Sequence, residues 1–481
     1  MGLTRKSLLK RFHGALDQHT AAIFLGAGMS VPAGYPSWSK LLADIASDLQ
    51  LDSAREPDLA GLAQFHLNKR GHVRTELTAL ITKTFAQQKT PPEEHRILAR
   101  LPIRTIWTTN YDCLMEYAWS AIGKSYYSRH QSSQITSQAP AGTRAELFKM
   151  HGCVSAPGEV VLARDDYELF RKKRPGFLQL LSSELFSKTF LFLGLSFSDP
   201  NILHLFSTIR ELFTDSMPTH YAILKRPQKK DFSGKNSVND FEYQSRRFDL
   251  WVDDLHKRYG IDSFIVDDYQ EIRQFLSDLE ESISRRSYFV SGTYPPSTTI
   301  GKGAVFLDNL SKQVGRVIAQ RQRNLVSGYG LGVGSGVLSG AIDAWYTSGV
   351  DFSQRLLIRP FPQGASPTKA IAFKSRYRED MIAQTGICIF IAGFTEKGDN
   401  ASGVVEEYEI ARKARKIVIP IGASGGAATE LFTRTVADFE DIFRAKTRRT
   451  PLKKLGDGLA SVDELVSALE ELLDQIDPAD S

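Results

Sequence analysis

Cysteine is scarce in this sequence. Among 481 residues only Cys113, Cys153 and Cys388 occur, far apart and without a CxxC pair. So few and so widely spaced thiols exclude a disulfide scaffold and a four-cysteine zinc site, and they fit a reducing compartment. We therefore expect a cytoplasmic protein that binds no metal.

Long apolar runs are also missing. No apolar stretch approaches the roughly 20 residues that a membrane-spanning helix needs. Residues 1–11 are basic and polar, with no apolar segment behind them, so no signal peptide is expected. The sequence therefore predicts a protein that neither crosses nor binds a membrane.

Charge of one sign is not in large excess either. The formal net charge is only +5 for the whole length. Basic runs at residues 171–174 and 225–230 are typical of solvated surface. No strongly basic stretch alternates with aromatic residues, so a nucleic-acid partner is not expected.

What is present is the composition of a globular protein. Hydrophobic residues make up 42% and charged residues 24% of the chain. The length is too great for one ordinary core, so two or three domains are expected. After a polar segment at residues 284–287 the strand pattern restarts. We therefore divide the chain into residues 1–284 and 285–481.

Short apolar runs alternate with helical stretches in both halves. This order is typical of α/β domains, in which helices cover both faces of a parallel sheet. The sequence thus predicts two doubly wound, Rossmann-like parallel sheets. The strands predicted for the first half are residues 21–25, 104–108, 148–150, 190–194, 221–224 and 264–266. Those predicted for the second half are residues 288–290, 324–326, 355–358, 387–391 and 417–420.

A glycine-rich turn follows the first predicted strand. The Gly26-Ala27-Gly28 turn comes directly after residues 21–25, and a helix capped by Ser37 follows. Glycines in this position let the backbone approach a phosphate. Alone the turn is weak support for a nucleotide site, because many tight strand-to-helix turns need glycine.

Polar residues at three other predicted strand ends strengthen the case. Asn110 and Asp112 follow one strand, His151 follows another, and Ser196 and Asp199 follow a third. Ligands of open parallel sheets bind at the carboxyl ends of strands. A histidine with such neighbours favours a functional site over a structural role.

These motifs resemble sirtuins in their order along the chain. The resemblance covers roughly residues 15–280 and rests on Gly26-Ala27-Gly28-Met29-Ser30, Gly34-Tyr35-Pro36, residues 108–112, His151-Gly152 and Gly194-Leu195-Ser196. It implies that NAD is the substrate and that its nicotinamide–ribose bond is broken. It further implies that Asn110 and His151 are catalytic. It also implies cofactor-binding roles for Gly26, Ala27, Gly28, Ser30, Asp112, Gly194, Ser196 and Asp199.

Two departures from the sirtuin pattern bear on the reaction. Protein-deacylating sirtuins carry a four-cysteine zinc ribbon, which this chain lacks, and their charged Asp-Phe-Arg segment is here Ser37-Trp38-Ser39. Water is then favoured as acceptor, which gives hydrolysis of NAD to ADP-ribose and nicotinamide. A protein deacylase and a non-catalytic nucleotide sensor remain the alternatives.

The second half has its own glycine-rich segment. Residues 327–336 contain five glycines between a strand and a helix, a density that suits close approach to phosphate, although a flexible loop is the alternative. With Ser291-Gly292 and residues 403–407, this segment resembles the SLOG family over about residues 287–470. The resemblance implies nucleotide binding rather than a second enzyme. The candidate ligand residues are Ser291, Gly292, Gly328, Gly330, Gly332, Gly334, Arg359, Lys374, Arg376 and Glu407.

A sirtuin-like half followed by a SLOG half resembles the effectors of Thoeris antiphage defence. That resemblance implies an enzyme held inactive until a signal arrives. The signal would be a cyclic ADP-ribose isomer made by a partner enzyme with a TIR domain and bound by the SLOG half. It further implies a homotetramer and defence by depletion of NAD.

Overall fold

The computed structural model describes residues 3–197, 199–212, 218–232, 237–296, 299, 301–353, 355–360, 367–443 and 447–477. The chain divides into two units, Met1–Glu280 and Glu281–Ser481. The division between the units lies within the helix Gln270–Ser284, and the boundary predicted from the sequence, after residue 284, lies at the end of that helix. None of the helices in the described ranges combines the length and the apolar character of a membrane span.

A parallel sheet of seven strands forms the centre of the first unit. Its order is β3-β4-β2-β1-β5-β6-β7. The strands are β1 Ala21–Leu25, β2 Thr105–Thr108, β3 Tyr126–Arg129, β4 Ala145–Lys149, β5 Thr189–Leu193, β6 His220–Lys225 and β7 Ile261–Val266. Each strand predicted for this half overlaps an observed one. Strand β3 was not predicted because it lies at the sheet edge, is largely half-buried and offers no apolar run.

Helices surround this sheet. They are α1 Arg5–Asp17, α2 Trp38–Leu41, α3 Ala43–Asp48, α4 Leu59–Lys69, α5 Thr75–Phe85, α6 Glu93–Arg100, α7 Leu114–Ala121, α8 Ser132–Ile135, α9 Arg164–Glu168, α10 Phe170–Lys173, α11 Pro175–Ser187, α12 Pro200–Leu212, α13 Ser237–Tyr259 and α14 Gln270–Ser284. The predicted Ser37 cap is confirmed, since its side chain accepts from the Lys40 amide. The helix that it starts is interrupted at Leu42 and begins again at Ala43.

The order of the strands creates a switch point beside β1. From β1 the chain moves to β2 on one side of the sheet, and it later crosses to β5 on the other. Leu25 pairs in register with Thr108 and Leu193, and Thr108 pairs with Lys149. The carboxyl ends of β1, β2, β4 and β5 are therefore level, and a crevice for a ligand is expected where the order reverses.

A second parallel sheet, of five strands, repeats this scheme in the second unit. Its order is β10-β9-β8-β11-β12, with the reversal between β8 and β11. The strands are β8 Ser287–Thr293, β9 Asn324–Ser327, β10 Leu356–Ile358, β11 Ile387–Ala392 and β12 Ile417–Ile421. The helices are α15 Gly303–Gln320, α16 Val333–Thr347, α17 Pro367–Ala383, α18 Ser402–Lys413, α19 Ala427–Ala437, α20 Phe439–Ile442, α21 Arg449–Lys454 and α22 Val462–Ile476. Two doubly wound parallel sheets, the predicted fold class, are thus confirmed.

Helices α15 and α16 pack so closely that their main chains are in contact. A Cβ placed on Gly340 would overlap the carbonyl oxygen of Lys312, and one on Gly315 would overlap that of Val337. A Cβ on Gly336 would lie 2.7 Å from the Cβ of Ser311. Several glycines of this region are therefore required by helix packing.

The Gly340→Ala variant is predicted to destabilise the second unit. The new methyl group must push α15 and α16 apart, which costs about 1–3 kcal/mol in a well-packed interior. Urea unfolding followed by circular dichroism measures the change. Gly14→Ala is the control, because no atom lies within 4 Å of the new Cβ in α1 and alanine favours a helix. Equal stability of Gly340→Ala and the unaltered chain would contradict this packing.

Candidate functional site

The turns that follow β1 and β5 touch each other at the first switch point. The amide of Gly26 donates to the Leu193 carbonyl at 2.9 Å, and that of Gly28 donates to the Gly194 carbonyl at 3.0 Å. A Cβ on Gly26 would overlap the Gly194 carbonyl, and one on Gly194, where φ is +65°, would lie 2.7 Å from the Met29 nitrogen. Two amides of the predicted phosphate-binding turn thus donate within the protein.

Asn110 is fixed at one end of its side chain and open at the other. Its Nδ2 donates to the carbonyl oxygen of Gly26 and to Oγ of Ser30, both at 3.0 Å. A carbonyl only accepts, so the amide must present its nitrogen to Gly26. Its Oδ1 is buried and has no hydrogen-bond partner among the described residues. Because buried polar atoms are nearly always paired, this oxygen is ready for a ligand.

Asp112 supports this arrangement from inside the protein. Its Oδ2 accepts from the Ser30 hydroxyl at 2.7 Å, and its Oδ1 accepts from the Leu114 amide at 3.0 Å. The carboxylate therefore ties the turn after β1 to the start of α7. Ser30 joins Asp112 to Asn110, so the three predicted residues form one hydrogen-bonded group.

Lys149 lies beneath that group and is completely buried. Its ammonium donates to the main-chain carbonyl of Asp112 and to Oε1 of Glu116, the latter at 3.1 Å. Burial opposes the charge of Lys149, but Glu116 and other acidic neighbours outweigh it and raise the Lys149 pKa. The lysine thus stays charged and holds the segment after β2 against the end of β4.

His151 lies one strand away from Asn110, with only 2% of its surface exposed. Its ring packs edge-on against Tyr167, with centroids 5.4 Å apart, and against Phe170, at 5.9 Å. Its Nε2 lies 3.4 Å from Oδ2 of Asp199 and makes no hydrogen bond with the described residues. Burial lowers the His151 pKa, although Asp199 opposes this. The ring is therefore neutral near pH 7 and able to accept a proton.

Asp199 holds the far side of the site. Its Oδ1 accepts from the amides of Asn201 and Ile202 at 2.9 and 3.2 Å, so it caps the start of α12. Ser196 lies in the same loop, and its side chain is exposed. Ser198, the next serine along the chain, is outside the described residues.

A cavity of about 440 Å³ adjoins the His151 segment. Val161, in its wall, donates its amide to the His151 carbonyl, and Phe170 also contacts the histidine ring. An ion pair between Arg74 and Asp166, 2.7 Å apart, lies in the same wall. None of the site residues predicted from the sequence lines this cavity.

At the second switch point, predicted and unpredicted residues meet. The buried carboxylate of Glu407 accepts from Oγ of Ser291 at 2.5 Å and from Nε of Arg378 at 3.2 Å. Arg378 also donates to Glu406 at 2.7 Å. Burial raises the pKa of Glu407. Ser291 of β8 and Glu407 of α18, both predicted from the sequence, are therefore in contact.

The glycine-rich segment packs closely on the turn after β8. A Cβ on Gly330 would overlap the Gly292 carbonyl, and one on Gly332, where φ is +75°, would lie 2.7 Å from the Tyr294 ring. The amide of Gly334 donates to the Gly330 carbonyl at 2.7 Å. The segment is thus a packed turn at the start of α16, in contrast to the alternative of a flexible loop. Gly328, at its beginning, is half-buried.

The predicted basic residues of this half lie on separate segments, Lys374 and Arg376 on α17 and Arg359 after β10. Lys374 and Arg376 are exposed on α17. The amide of Arg359 donates to the Ser327 carbonyl at 2.9 Å, which places it beside the end of β9. Residues 361–364, which follow closely in the sequence, are outside the described residues.

Two family models match the chain. One, described as a SIR2-like domain, matches residues 104–247, and the other, the Sir2- and TIR-associating SLOG family, matches residues 271–476. These matches confirm the resemblance to sirtuins and to SLOG proteins, in that order. Defense-associated sirtuin 2 of Bacillus subtilis is 30% identical over 213 residues, which are 42% of this chain and 20% of that protein.

Two other relatives match along nearly the whole length. NAD(+) hydrolase ThsA of Bacillus cereus (strain MSX-D12) is 36% identical over 477 residues, 97% of either chain. NAD(+) hydrolase ThsA of Enterococcus faecium is 35% identical over 489 residues, 98% of this chain and 99% of that protein. The chain belongs to the ThsA family.

In this ThsA-family chain, sequence patterns predicted part of the candidate site. Strand-end position pointed to Asn110 and His151, but nothing in the spacing pointed to the aromatic residues Tyr167 and Phe170. The position of Lys149 was also a signal in the sequence. A lysine at the end of a buried strand needs a partner for its charge, which indicates an acidic neighbour.

At the second site, helical spacing in the sequence also points to one more basic residue. Arg378 shares a helix face with Lys374 at the i, i+4 spacing, yet it was not among the predicted ligand residues. It is Arg378 that contacts the predicted Glu407.

A possible metal site also lies in the first unit. Within the described residues, Cys113, Glu116 and Cys153 bring three ligand atoms within 4.8 Å of one another. The ammonium of Lys149 lies 3.1 Å from Glu116 and 4.0 Å from the Cys113 sulfur. A positive charge in this position disfavours a metal cation.

Replacement of Lys149 by methionine is predicted to destabilise the first unit by about 3–5 kcal/mol, because Glu116 is left as an unpaired buried charge. The double variant Lys149→Met/Glu116→Gln should recover part of this loss. Urea unfolding of the two single variants and the double variant gives the coupling energy. Purely additive losses would show that the two side chains are not coupled.

Proposed function

We propose that this chain hydrolyses NAD to ADP-ribose and nicotinamide at the carboxyl ends of β1, β2, β4 and β5. One observation carries the proposal: Oδ1 of Asn110 and Nε2 of His151, which follow neighbouring strands, are both buried and have no hydrogen-bond partner in the part of the chain that the structure describes. The names of the full-length relatives support the choice of NAD.

The proposed roles follow from what each catalytic atom can do. Oδ1 of Asn110 accepts a hydrogen bond from a ribose hydroxyl or from the attacking water. As the bond between nicotinamide and ribose breaks, its electron pair leaves with nicotinamide, and the oxygen of water bonds to the ribose carbon. The neutral His151 accepts the proton from this water or from a ribose hydroxyl. No metal is needed for these steps.

The remaining predicted residues surround the cofactor in this proposal. The Gly26-Ala27-Gly28 turn and Gly194 allow the pyrophosphate to approach the backbone. Asp112, which still has unused lone pairs, contacts the nicotinamide carboxamide, while Ser30 keeps it in place. Ser196 and Asp199 line the opposite side of the site.

Protein deacylation is the second candidate reaction. The Ser37-Trp38-Ser39 segment and the lack of zinc-ribbon cysteines disfavour it. Release of nicotinamide from NAD in the absence of any acyl-lysine peptide separates hydrolysis from deacylation. No release under any condition would instead support a non-catalytic nucleotide sensor.

In the variants Asn110→Ala and His151→Ala, the rate of nicotinamide release is predicted to fall by about a hundredfold or more, because each variant loses a group that acts on the transition state. The measurement is nicotinamide release under activating conditions. His72→Asn is the matched control, since His72 is exposed and asparagine tolerates its φ of +64°. Wild-type rates in both folded site variants would refute the proposed roles.

We propose further that a cyclic ADP-ribose isomer, made by a partner enzyme with a TIR domain, binds the second unit and activates hydrolysis. The contact of Ser291, Arg378 and Glu407 at the second switch point supports a nucleotide site there, with the other predicted residues of that half around it. A ligand activates only if it binds the active state more tightly. We propose a homotetramer in the cytoplasm as the switching assembly and phage defence by NAD depletion as its purpose.

Glu407→Gln is predicted to raise the activator concentration needed for half-maximal NAD hydrolysis by about tenfold or more, since a buried charged hydrogen-bond partner is lost. Titration with a cyclic ADP-ribose isomer measures this. Glu409→Gln is the control, because Glu409 lies on the same helix but is exposed. If both variants respond like the unaltered chain, the activator does not bind at Glu407.

A further inference from the structure

Two of the three cysteines meet beside the candidate catalytic site. Cys113 follows β2 and Cys153 follows β4, and their sulfur atoms are 3.7 Å apart. The main chains that carry them are also joined, because the Val154 amide donates to the Tyr111 carbonyl at 2.9 Å. The pair is therefore held together by the fold, although 40 residues separate its members.

The surroundings of the pair favour a reactive thiolate. A hydrogen bond from the Cys113 thiol lowers the Cys153 pKa, and the Lys149 ammonium adds to this against the effect of burial. Cys113 is partly exposed, whereas Cys153 is only 3% exposed. Thiolates rather than thiols react with oxidants, and cysteines next to a cation are the susceptible ones.

We propose that Cys113 and Cys153 are an oxidation site, at which a peroxide converts the two thiols into a reversible intramolecular disulfide. The 3.7 Å separation of the two sulfur atoms supports this pair, and the sequence contains one other cysteine. Cys388 lies in the other unit, fully buried, 3.6 Å from the Thr385 hydroxyl.

The reaction has two balanced steps. The Cys153 thiolate attacks one oxygen of hydrogen peroxide, the O–O bond breaks, and the hydroxide released takes a proton to become water. The sulfur of Cys113 then attacks the sulfur of the sulfenic acid, the S–S bond forms, and the S–O bond breaks. The departing hydroxide takes the proton of the Cys113 thiol and becomes a second water. The two cysteines lose two electrons in total, and the peroxide gains them.

Closure of the disulfide must move the chain near the site. The sulfurs have to approach by about 1.7 Å to reach a normal S–S bond length. Cys113 directly follows Asp112, and Cys153 is two residues beyond His151, so both segments are pulled. Given the proposed NAD hydrolysis, oxidation should slow turnover by on the order of tenfold to a hundredfold, because small misplacements of catalytic groups are costly.

The main competing role for this pair is metal binding with Glu116. Lys149 disfavours it, because its ammonium already forms an ion pair with Glu116 at 3.1 Å. A thiol pair next to a fixed ammonium is better suited to thiolate chemistry than to a divalent cation.

The test uses the reduced full-length protein and hydrogen peroxide. Remaining thiols are alkylated after increasing times, and peptides are mapped by mass spectrometry under non-reducing conditions. We expect a peptide cross-linked through Cys113 and Cys153, its disappearance with dithiothreitol, and a parallel loss and recovery of NAD hydrolysis. Cys113→Ser and Cys153→Ser should abolish the cross-link and the sensitivity to peroxide, whereas the control Cys388→Ser should retain both.

Several outcomes would overturn the proposal. The two thiols could stay free in the folded protein, or cross-links could form only between chains. Alternatively, zinc could protect both thiols until a chelator is added. The cross-link is detected without reference to NAD, so failure of the proposed hydrolysis leaves this part of the test intact. A cross-link that forms without any change in an active enzyme would refute the effect on turnover.

Discussion

Close backbone contacts lie where the strand order of each sheet reverses, and both proposed sites are built around them. In the first unit the turn after β1 lies directly on the turn after β5, at Gly26 and Gly194. In the second unit Gly292 lies against the carbonyl of Ile391, and Gly330 lies against Gly292. Any Cβ would separate these turns. Glycine is needed here first to bring strand ends together, and only then can a ligand approach their backbone.

From this contact a chain of hydrogen bonds extends across the first site. Gly26 donates to Leu193 through its amide and accepts from Asn110 through its carbonyl. Ser30 links Asn110 to Asp112, whose own carbonyl receives the Lys149 ammonium. The ends of β5, β1, β2 and β4 are thereby connected through side chains and backbone. A site built in this way is held rigid by the protein before any ligand binds, which is what stabilisation of a transition state requires.

The sequence predicted those parts of the fold and site that depend on local pattern. Buried parallel strands are apolar runs, so all but β3 were predicted, and the positions of the strand ends then led to the prediction of Asn110 and His151. Contacts between distant segments leave no such pattern, and the packing of Tyr167 on His151 is one of these. The role of the glycines could be predicted only in part, for the same reason. The sequence shows that the turn after β1 is tight, but not that Gly194 is the neighbour that requires it to be tight. Lys374 and Arg378 share one helix face, and only the three-dimensional position of Glu407 distinguishes them.

The two switch points differ in a way that fits their proposed tasks. Within the described part of the chain, the first leaves Asn110 Oδ1 and His151 Nε2 without hydrogen-bond partners, so the proposed substrate can bind these two atoms without displacing a hydrogen bond between described residues. At the second, the carboxylate of Glu407 already accepts from Ser291 and Arg378. A ligand at this point would meet three side chains that already hold one another in place. The proposed activator, if it contacts Glu407, would act on a group that is bonded to Arg378 of α17. A different affinity for the two positions of that helix is the physical requirement for such a ligand to shift one state of the protein to another.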